Sequence, residues 1–273
     1  MNQRLVSISA AIAGLLAGVP AAAGGIFITG HDSDWHAAYN GGLSALVGPQ
    51  HIVQTSINYV TGAKVNPHIL YVTDDLGVGL DSLPSQAGLT LSGFTNFDLA
   101  DDGTNHIDVG TVNFANYDAI VVASSGGGQL HQSELDKLNA RAADFVTYIN
   151  AGGGLVAFAE STQYPGGTTH NLYGFLPFVV VANSLPQDES TFMVTPFGAG
   201  LGLLNSDVQA GFAHNTFSND AGMQVVDRDG AGAIISLAFT GTIGLTGVVA
   251  EPGVFSLIGL GLVGAALSRR KRA

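Results

Sequence analysis

Apolar positions along the chain fall into short buried runs separated by glycine-rich punctuation. Gly25 to Thr29 is a continuous apolar run stopped at Gly30, the pattern of a strand covered on both faces. Asp34 to Leu46 has helical spacing, and Pro67 to Thr73 predicts a second strand closed by Asp74 and Asp75. Residues 76–115 are rich in Gly, Asp, Ser and Asn and read as an irregular insertion. The clearest unit follows. Tyr117 to Ser124 is a β-branched apolar strand, Gly126-Gly127-Gly128 a loop, Ser133 to Asn150 an amphipathic helix, and Leu155 to Ala159 another buried strand. Ser133 stands as the helix N-cap with Glu134 and Asp136 in the first turn, and Gly152-Gly153-Gly154 ends it. Strand, helix and strand joined by short glycine connections make a right-handed crossover, which requires a parallel sheet covered on both faces. Phe178 to Val181, Gly222 to Val226 and Gly232 to Phe239 add apolar runs, the last a clear strand. The pattern predicts an α/β fold, a flavodoxin-like doubly wound and mainly parallel sheet, in one domain over residues 24–245.

The two ends are apolar in a different way. Arg4 precedes an uncharged stretch from Leu5 to Val19, and Ala21-Ala22-Ala23 closes it with small residues, the three-part pattern of a secretory signal peptide over residues 1–23. Gly253 to Ser268 also carries no charge, and at ~1.5 Å per residue it reaches roughly 24 Å, the length of a short single transmembrane helix. Arg269, Arg270, Lys271 and Arg272 follow it and hold that end on the cytoplasmic side by the positive-inside rule, leaving the bulk of the chain outside. Ala250-Glu251-Pro252 precede it. The motif, apolar helix and basic cluster over residues 250–273 together resemble the PEP-CTERM sorting signal of Gram-negative bacteria, with Ala250 in place of that family's first proline. The resemblance implies export, signal peptidase and an exosortase-type protease as partners, membrane anchoring through the C-terminal helix, and delivery to the cell envelope or extracellular surface. It also implies association with exopolysaccharide and biofilm matrix.

Charge narrows the field further. Between the two end segments the only basic residues are Lys64, Lys137, Arg141 and Arg228, against twenty acids, which leaves a net charge of about −16 with neutral histidines. Such a surface repels nucleic acid and anionic lipid, so nucleic acid is not a partner. The absence of cysteine excludes disulfides, thiol nucleophiles and cysteine metal sites.

Candidate chemistry gathers after the first strand, in Gly30-His31-Asp32-Ser33-Asp34-Trp35-His36, where open α/β sheets collect ligands. The imidazoles of His31 and His36 and the carboxylates of Asp32 and Asp34 are the donors that zinc, or for the carboxylates calcium, accepts, so a divalent cation is the one cofactor these residues admit. The plainer role for Asp32 or Asp34 is to cap the following helix, with Trp35 packed on the sheet. Asp74 and Asp75 point to the same crevice as turn formers or ligands. Gly126-Gly127-Gly128 lacks the lysine and Ser/Thr of a phosphate loop, which argues against nucleotide. His170 and Asn171 end a loop whose aromatic and amide groups can meet a carbohydrate.

A second resemblance rests on Tyr117-Asp118-Ala119-Ile120-Val121-Val122, on Tyr148-Ile149-Asn150-Ala151-Gly152-Gly153-Gly154, on Leu155-Val156-Ala157-Phe158-Ala159, and on Thr195 to Leu201 leading to Phe212-Ala213-His214-Asn215. These are similar to the class I glutamine-amidotransferase-like superfamily, particularly its trehalose-utilisation branch. In active members a cysteine occupies the turn that here carries Glu160-Ser161-Thr162, so glutaminase chemistry by that route is closed. A hydrolase arrangement would use Ser161 as nucleophile, His214 as base and Asp207 to orient it, although the glycines of a nucleophile elbow are missing. The expectation is a non-catalytic surface or matrix protein binding polysaccharide or a divalent cation near residues 30–36, Asp74 and Glu160. The alternative is a secreted hydrolase or carbohydrate-active enzyme using His31, Asp34, Glu160 and His214.

Overall fold

The computed structural model describes residues 24–39, 47–74, 86–125, 127, 129–160, 170–185, 191–209 and 213–244. The signal segment, the Ala250-Glu251-Pro252 motif, the apolar stretch 253–268 and the basic cluster at 269–272 lie outside them, as do Asp75 and Ser161. Among the described residues no helix is long and apolar enough to cross a membrane.

The first half runs β1 (Gly25–Thr29), α1 (Ser33–His36), α2 (Val47–Thr61), β2 (Ile69–Val72), α3 (Gln86–Leu91), β3 (Phe97–Asp101), β4 (Ile107–Asp108) and a 3-10 turn at Phe114–Asn116. Then come β5 (Ala119–Val122), α4 (Gln132–Ala140), α5 (Ala142–Asn150) and β6 (Gly154–Ala157). The last part is β7 (Ala182–Ser184), β8 (Phe192–Val194), α6 (Pro196–Gly200), α7 (Asn205–Gln209), β9 (Asn215–Phe217), β10 (Gln224–Asp229) and β11 (Ile234–Thr240). One sheet holds these strands in the order β4-β3-β2-β5-β6-β1-β11-β10-β8, with β9 paired to β11 and β7 to β9. Every pairing from β4 through β1 is parallel. From β1 to β11 onward every pairing is antiparallel. The result is a mixed α/β fold on a large, mostly parallel sheet, as the strand-helix-strand pattern predicts.

The fully buried runs at β1, β2, β5 and β6 are the apolar segments legible in the sequence, since a strand covered on both faces has no polar alternation. Helix α2 lies against β1 and β6 because two glycines make room for it. A Cβ on Gly25 would meet Val60 Cα at 2.8 Å, and one on Gly154 would meet Val60 Cγ2 at 2.7 Å.

Four local expectations are corrected. Only Ser33–His36 is helical within the described part of 34–46, and the long helix begins at Val47, with Ile52, Val53, Ile57 and Val60 on its buried stripe. Residues 86–115 are not irregular but supply α3, β3 and β4, with Phe97 to Ala100 in parallel register on Ile69 to Val72. Asp101, Asp102, Gly103 and Asn105 form one loop built on the Asp101 carboxylate, which accepts the backbone N–H groups of Gly103, Asn105 and His106 at 2.7, 2.8 and 2.9 Å.

The helix expected over 133–150 is broken at Arg141. That guanidinium is drawn to the carbonyls of Val109 and Val112, both at 2.8 Å, and lies 3.6 Å over the Phe114 ring. The helix also starts at Gln132, ahead of Ser133, with the Glu134 side chain accepting the His131 N–H at 2.8 Å. The apolar run 178–181 lies just ahead of strand β7, and Val179 is 80% exposed.

Candidate functional site

The parallel strands end together, and their carboxyl ends carry a buried polar cluster. Gly30 is the hinge of this end: a Cβ there would fall 1.9 Å from the Asn215 carbonyl oxygen, so only glycine lets the two chains touch. Across that contact the His214 N–H donates to the Gly30 carbonyl at 2.7 Å, and His31 bridges Ala213. The Ala159 N–H then donates to His31 at 3.2 Å and the Ser125 N–H to Ala159 at 2.7 Å. Segments after β1, β5 and β6 and before β9 are thereby stitched side by side.

Side chains then close over this floor. Asp34 Oδ2 accepts the Tyr71 hydroxyl at 2.8 Å and the Ser124 N–H at 2.9 Å, tying the turn after β1 to β2 and β5. The Ser124 hydroxyl donates to Asp32 Oδ1. The other oxygen of Asp32 lies 3.7 Å from His214 Nε2 and 3.9 Å from His36 Nε2. His36 Nδ1 lies 3.1 Å from the Tyr39 carbonyl, which can only accept, so the ring proton sits on Nδ1 and Nε2 turns its lone pair to Asp32. Asp32, Asp34, His36, Tyr71, Ser124 and His214 are all buried.

Burial sets the electrostatics. It lifts the Asp32 carboxyl well above the usual carboxylate range, and the neighbouring Asp34 charge adds to the rise while the Ser124 hydroxyl opposes it. Asp34 is raised by burial too, against the donors Ser124 and Tyr71. Loss of water pulls His36 down to about 4, with His214 contributing, and pulls His214 down to about 4, with His31 contributing. At neutral pH both imidazoles are therefore uncharged bases facing a carboxyl group.

The sequence-predicted residues divide in two. Asp32, Asp34, His36 and His214 meet in this cluster. His31 does not join it as a ligand: its Nε2 lies 2.8 Å from Asp227 Oδ2 on β10, and its ring stands edge-on to Phe192. Glu160 is at the same end but serves as a clasp, accepting the Tyr173 N–H while its own N–H donates to Asn215 Oδ1 at 2.8 Å. Burial pushes its carboxyl well above the usual range. Asp207 does not orient His214, because its carboxylate accepts the Leu204 N–H at 2.9 Å and faces His51 Nδ1 at 3.2 Å.

Asp74 turns instead to His131 Nδ1 at 3.0 Å and to Asn105. His170 and Asn171 rest on helix α4, through Gln132 and Asn139. Gly127 makes room for Trp35, whose Cγ would be 2.4 Å from a Cβ at that position. Ser124, Tyr71, Tyr173, Asn215 and Asp227 are site residues that sequence reasoning missed. Each is an ordinary strand or loop residue whose partner is distant along the chain.

As they stand, no group of three or more His, Asp or Glu side chains among the described residues closes around a point where a metal ion would sit. A cavity of about 610 Å³ lies at the opposite end of the parallel strands, lined by Tyr117, Asp118, Arg141 and Gly153 among others, away from Asp32 and Asp34.

Fold and site define an α/β protein with a buried carboxylate-imidazole cluster at the carboxyl edge of its parallel strands. No family model, curated protein or solved structure matches the chain.

Proposed function

We propose that this chain is an exported envelope or surface protein, sorted through its PEP-CTERM-type tail, whose domain binds an extracellular polysaccharide or a divalent cation at the carboxyl edge and is not a catalyst. Its domain is read as flavodoxin-like and doubly wound, on an amidotransferase-like scaffold without the nucleophilic cysteine. The connection from β1 to β2 through α2 and that from β5 to β6 through α4 and α5 run in opposite directions along the sheet. Right-handed crossovers of opposite direction cover opposite faces.

The observation that carries the non-catalytic reading is that the acid and base a hydrolase would need are held elsewhere. His31 is committed to Asp227 and Glu160 to Tyr173, both in buried contacts that maintain the fold. One arrangement favours the alternative, a secreted hydrolase or carbohydrate-active enzyme. The Ser124 hydroxyl sits on Asp32, and His214 is 3.7 Å from the same carboxyl group.

The full-length protein, purified in mild detergent, tests both by sedimentation with exopolysaccharide from the producing cells and by turnover of ester and glycoside substrates. Retention on the polysaccharide without turnover is expected. Turnover abolished by Ser124→Ala would replace this reading with the hydrolase. Protein recovered from the native envelope should end near Glu251 by intact mass, and an intact tail would remove the processing step.

A further inference from the structure

We infer a second ligand site, a groove for a short neutral saccharide between helix α2 and the end of α6, where Gln54, Thr55, Asn58 and Tyr59 share a cavity with the turn Gly200-Leu201-Gly202. It is separate from the carboxyl-edge cluster and rests neither on that reading nor on the export route.

The groove has built walls. It encloses about 480 Å³, within the ~300 to 1,000 Å³ of small-molecule sites. Gln54 and Asn58 stand four residues apart, as do His51, Thr55 and Tyr59, so two polar rows run along α2 while Ile52, Val53, Ile57 and Val60 take its buried stripe. The Tyr59 ring is fixed by edge contacts with Phe27 and Phe197, both 6.2 Å between centroids. His51 Nδ1 lies 3.2 Å from Asp207 Oδ2, which ties the rim to α7. The other wall is largely backbone. A Cβ on Gly200 or Gly202 would meet nothing within 4 Å. Among the described residues the carbonyls of Gly200, Leu201 and Gly202 accept no backbone N–H, as expected where a helix ends.

Uncommitted hydrogen-bonding groups identify the ligand. Elsewhere on α2 the polar side chains are engaged: Gln50 donates to the Ala37 carbonyl at 2.9 Å, Ser56 to Val53 at 2.9 Å and Thr61 to Ile57 at 2.7 Å. The side chains of Gln54, Thr55 and Asn58 have no hydrogen-bond partner among the described residues. Each amide offers two donors and a carbonyl acceptor, and the threonine hydroxyl both donates and accepts. Sugar hydroxyls, each at once donor and acceptor, match that set, and Tyr59 supplies a rigid aromatic surface for the C–H groups of a pyranose ring. A purely apolar ligand would cover these groups without satisfying them. No lysine, arginine, aspartate or glutamate lines the groove among the described residues, and the acidic chain around it repels anions, so the saccharide is neutral. The larger cavity at the amino ends of the strands lacks such free groups: Asp118 there is held by Lys64 Nζ at 2.6 Å and the His68 N–H at 2.8 Å, and Arg141 Nε donates to Asp144 at 2.7 Å.

The test titrates the full-length protein, in a sugar-free detergent, with maltotriose, cellotriose and laminaritriose by calorimetry. Saturable one-site binding of at least one trisaccharide is expected, unchanged by added salt because the ligand carries no charge. Gln54→Ala and Asn58→Ala should each weaken it about three- to tenfold, the range of one lost hydrogen bond. Thr147→Ala, in the larger cavity, should leave it as it is. Alanine is a better helix former than glutamine or asparagine, and circular dichroism checks that each variant is folded. No saturable binding of any of the three, or wild-type affinity in a folded variant carrying both alanines, would overturn the site. Loss caused by Thr147→Ala alone would also overturn it, by moving the sugar to the other cavity. Sedimentation with exopolysaccharide keeps the carboxyl-edge reading distinct: a double variant that is still retained while its trisaccharide binding is lost is the result two separate sites give.

Discussion

His31 and Asp227 meet at 2.8 Å with both side chains fully buried, although 196 positions separate them in the chain. The contact joins the end of the parallel half at β1 to the antiparallel extension at β10, across the intervening strand β11. His31 Nδ1 has no hydrogen-bond partner among the described residues, so Asp227 is the anchor of that ring.

Asp227→Ala therefore strands a buried imidazole. We expect a loss of about 3 to 5 kcal/mol in urea unfolding, little altered by salt because the pair is out of water. A loss below 1 kcal/mol would mean that the ring finds another partner.

Tyr71→Phe deletes a donor to Asp34 Oδ2 and leaves the Ser124 N–H on that oxygen. A buried carboxylate deprived of a hydrogen bond costs about 1 to 3 kcal/mol, which the shift in the urea midpoint at constant slope would register.

Glu160 makes a pH prediction. Its folded-state pKa is raised by burial, so between the ordinary glutamate value of 4.5 and that higher value the folded state holds a proton the unfolded chain has lost. Stability from this group is complete below pH 4.5 and declines as pH rises through the folded-state pKa. Glu160→Gln keeps an acceptor for the Tyr173 N–H and does not ionise. Its unfolding free energy should fall less steeply than wild type as pH rises above 4.5; parallel curves would contradict the assignment.

The seat of helix α2 can be tested with two glycines. Gly154→Ala places a methyl group 2.7 Å from Val60 Cγ2 and 2.9 Å from the Val60 carbonyl, and overpacking of this kind costs about 1 to 3 kcal/mol. Gly200→Ala meets nothing within 4 Å at the exposed end of α6 and should be neutral or stabilising by ~0.4 to 1 kcal/mol. Comparison of the two melting temperatures separates steric conflict from a general effect of losing glycine.

The contrast between legible and hidden parts has a physical cause. Strands β1, β2, β5 and β6 could be read because burial on both faces demands unbroken apolar runs, and Gly30 after β1 and Gly152 before β6 mark turns that favour glycine. Strand β3 was hidden because Asp98 and Asp101 interrupt its apolar positions. Asp101 is nonetheless buried, its charge satisfied by three backbone N–H groups from the following loop. The break at Arg141 was hidden for a similar reason, since the carbonyls that draw the guanidinium belong to residues about thirty positions earlier.

Local order along the chain determined the α/β class, the mostly parallel sheet, the acidic and cysteine-free composition, and the placing of Asp32, Asp34 and His36 just beyond the first strand. Those features depend on neighbours within a turn or a strand, where periodicity and residue type carry the information. Only the tertiary structure decided that His31 leaves that group for Asp227, that His214 joins it, and that Ser124 and Tyr71 complete it. Such pairings depend on which strand ends become neighbours in the sheet, a property of the strand order and not of any single segment.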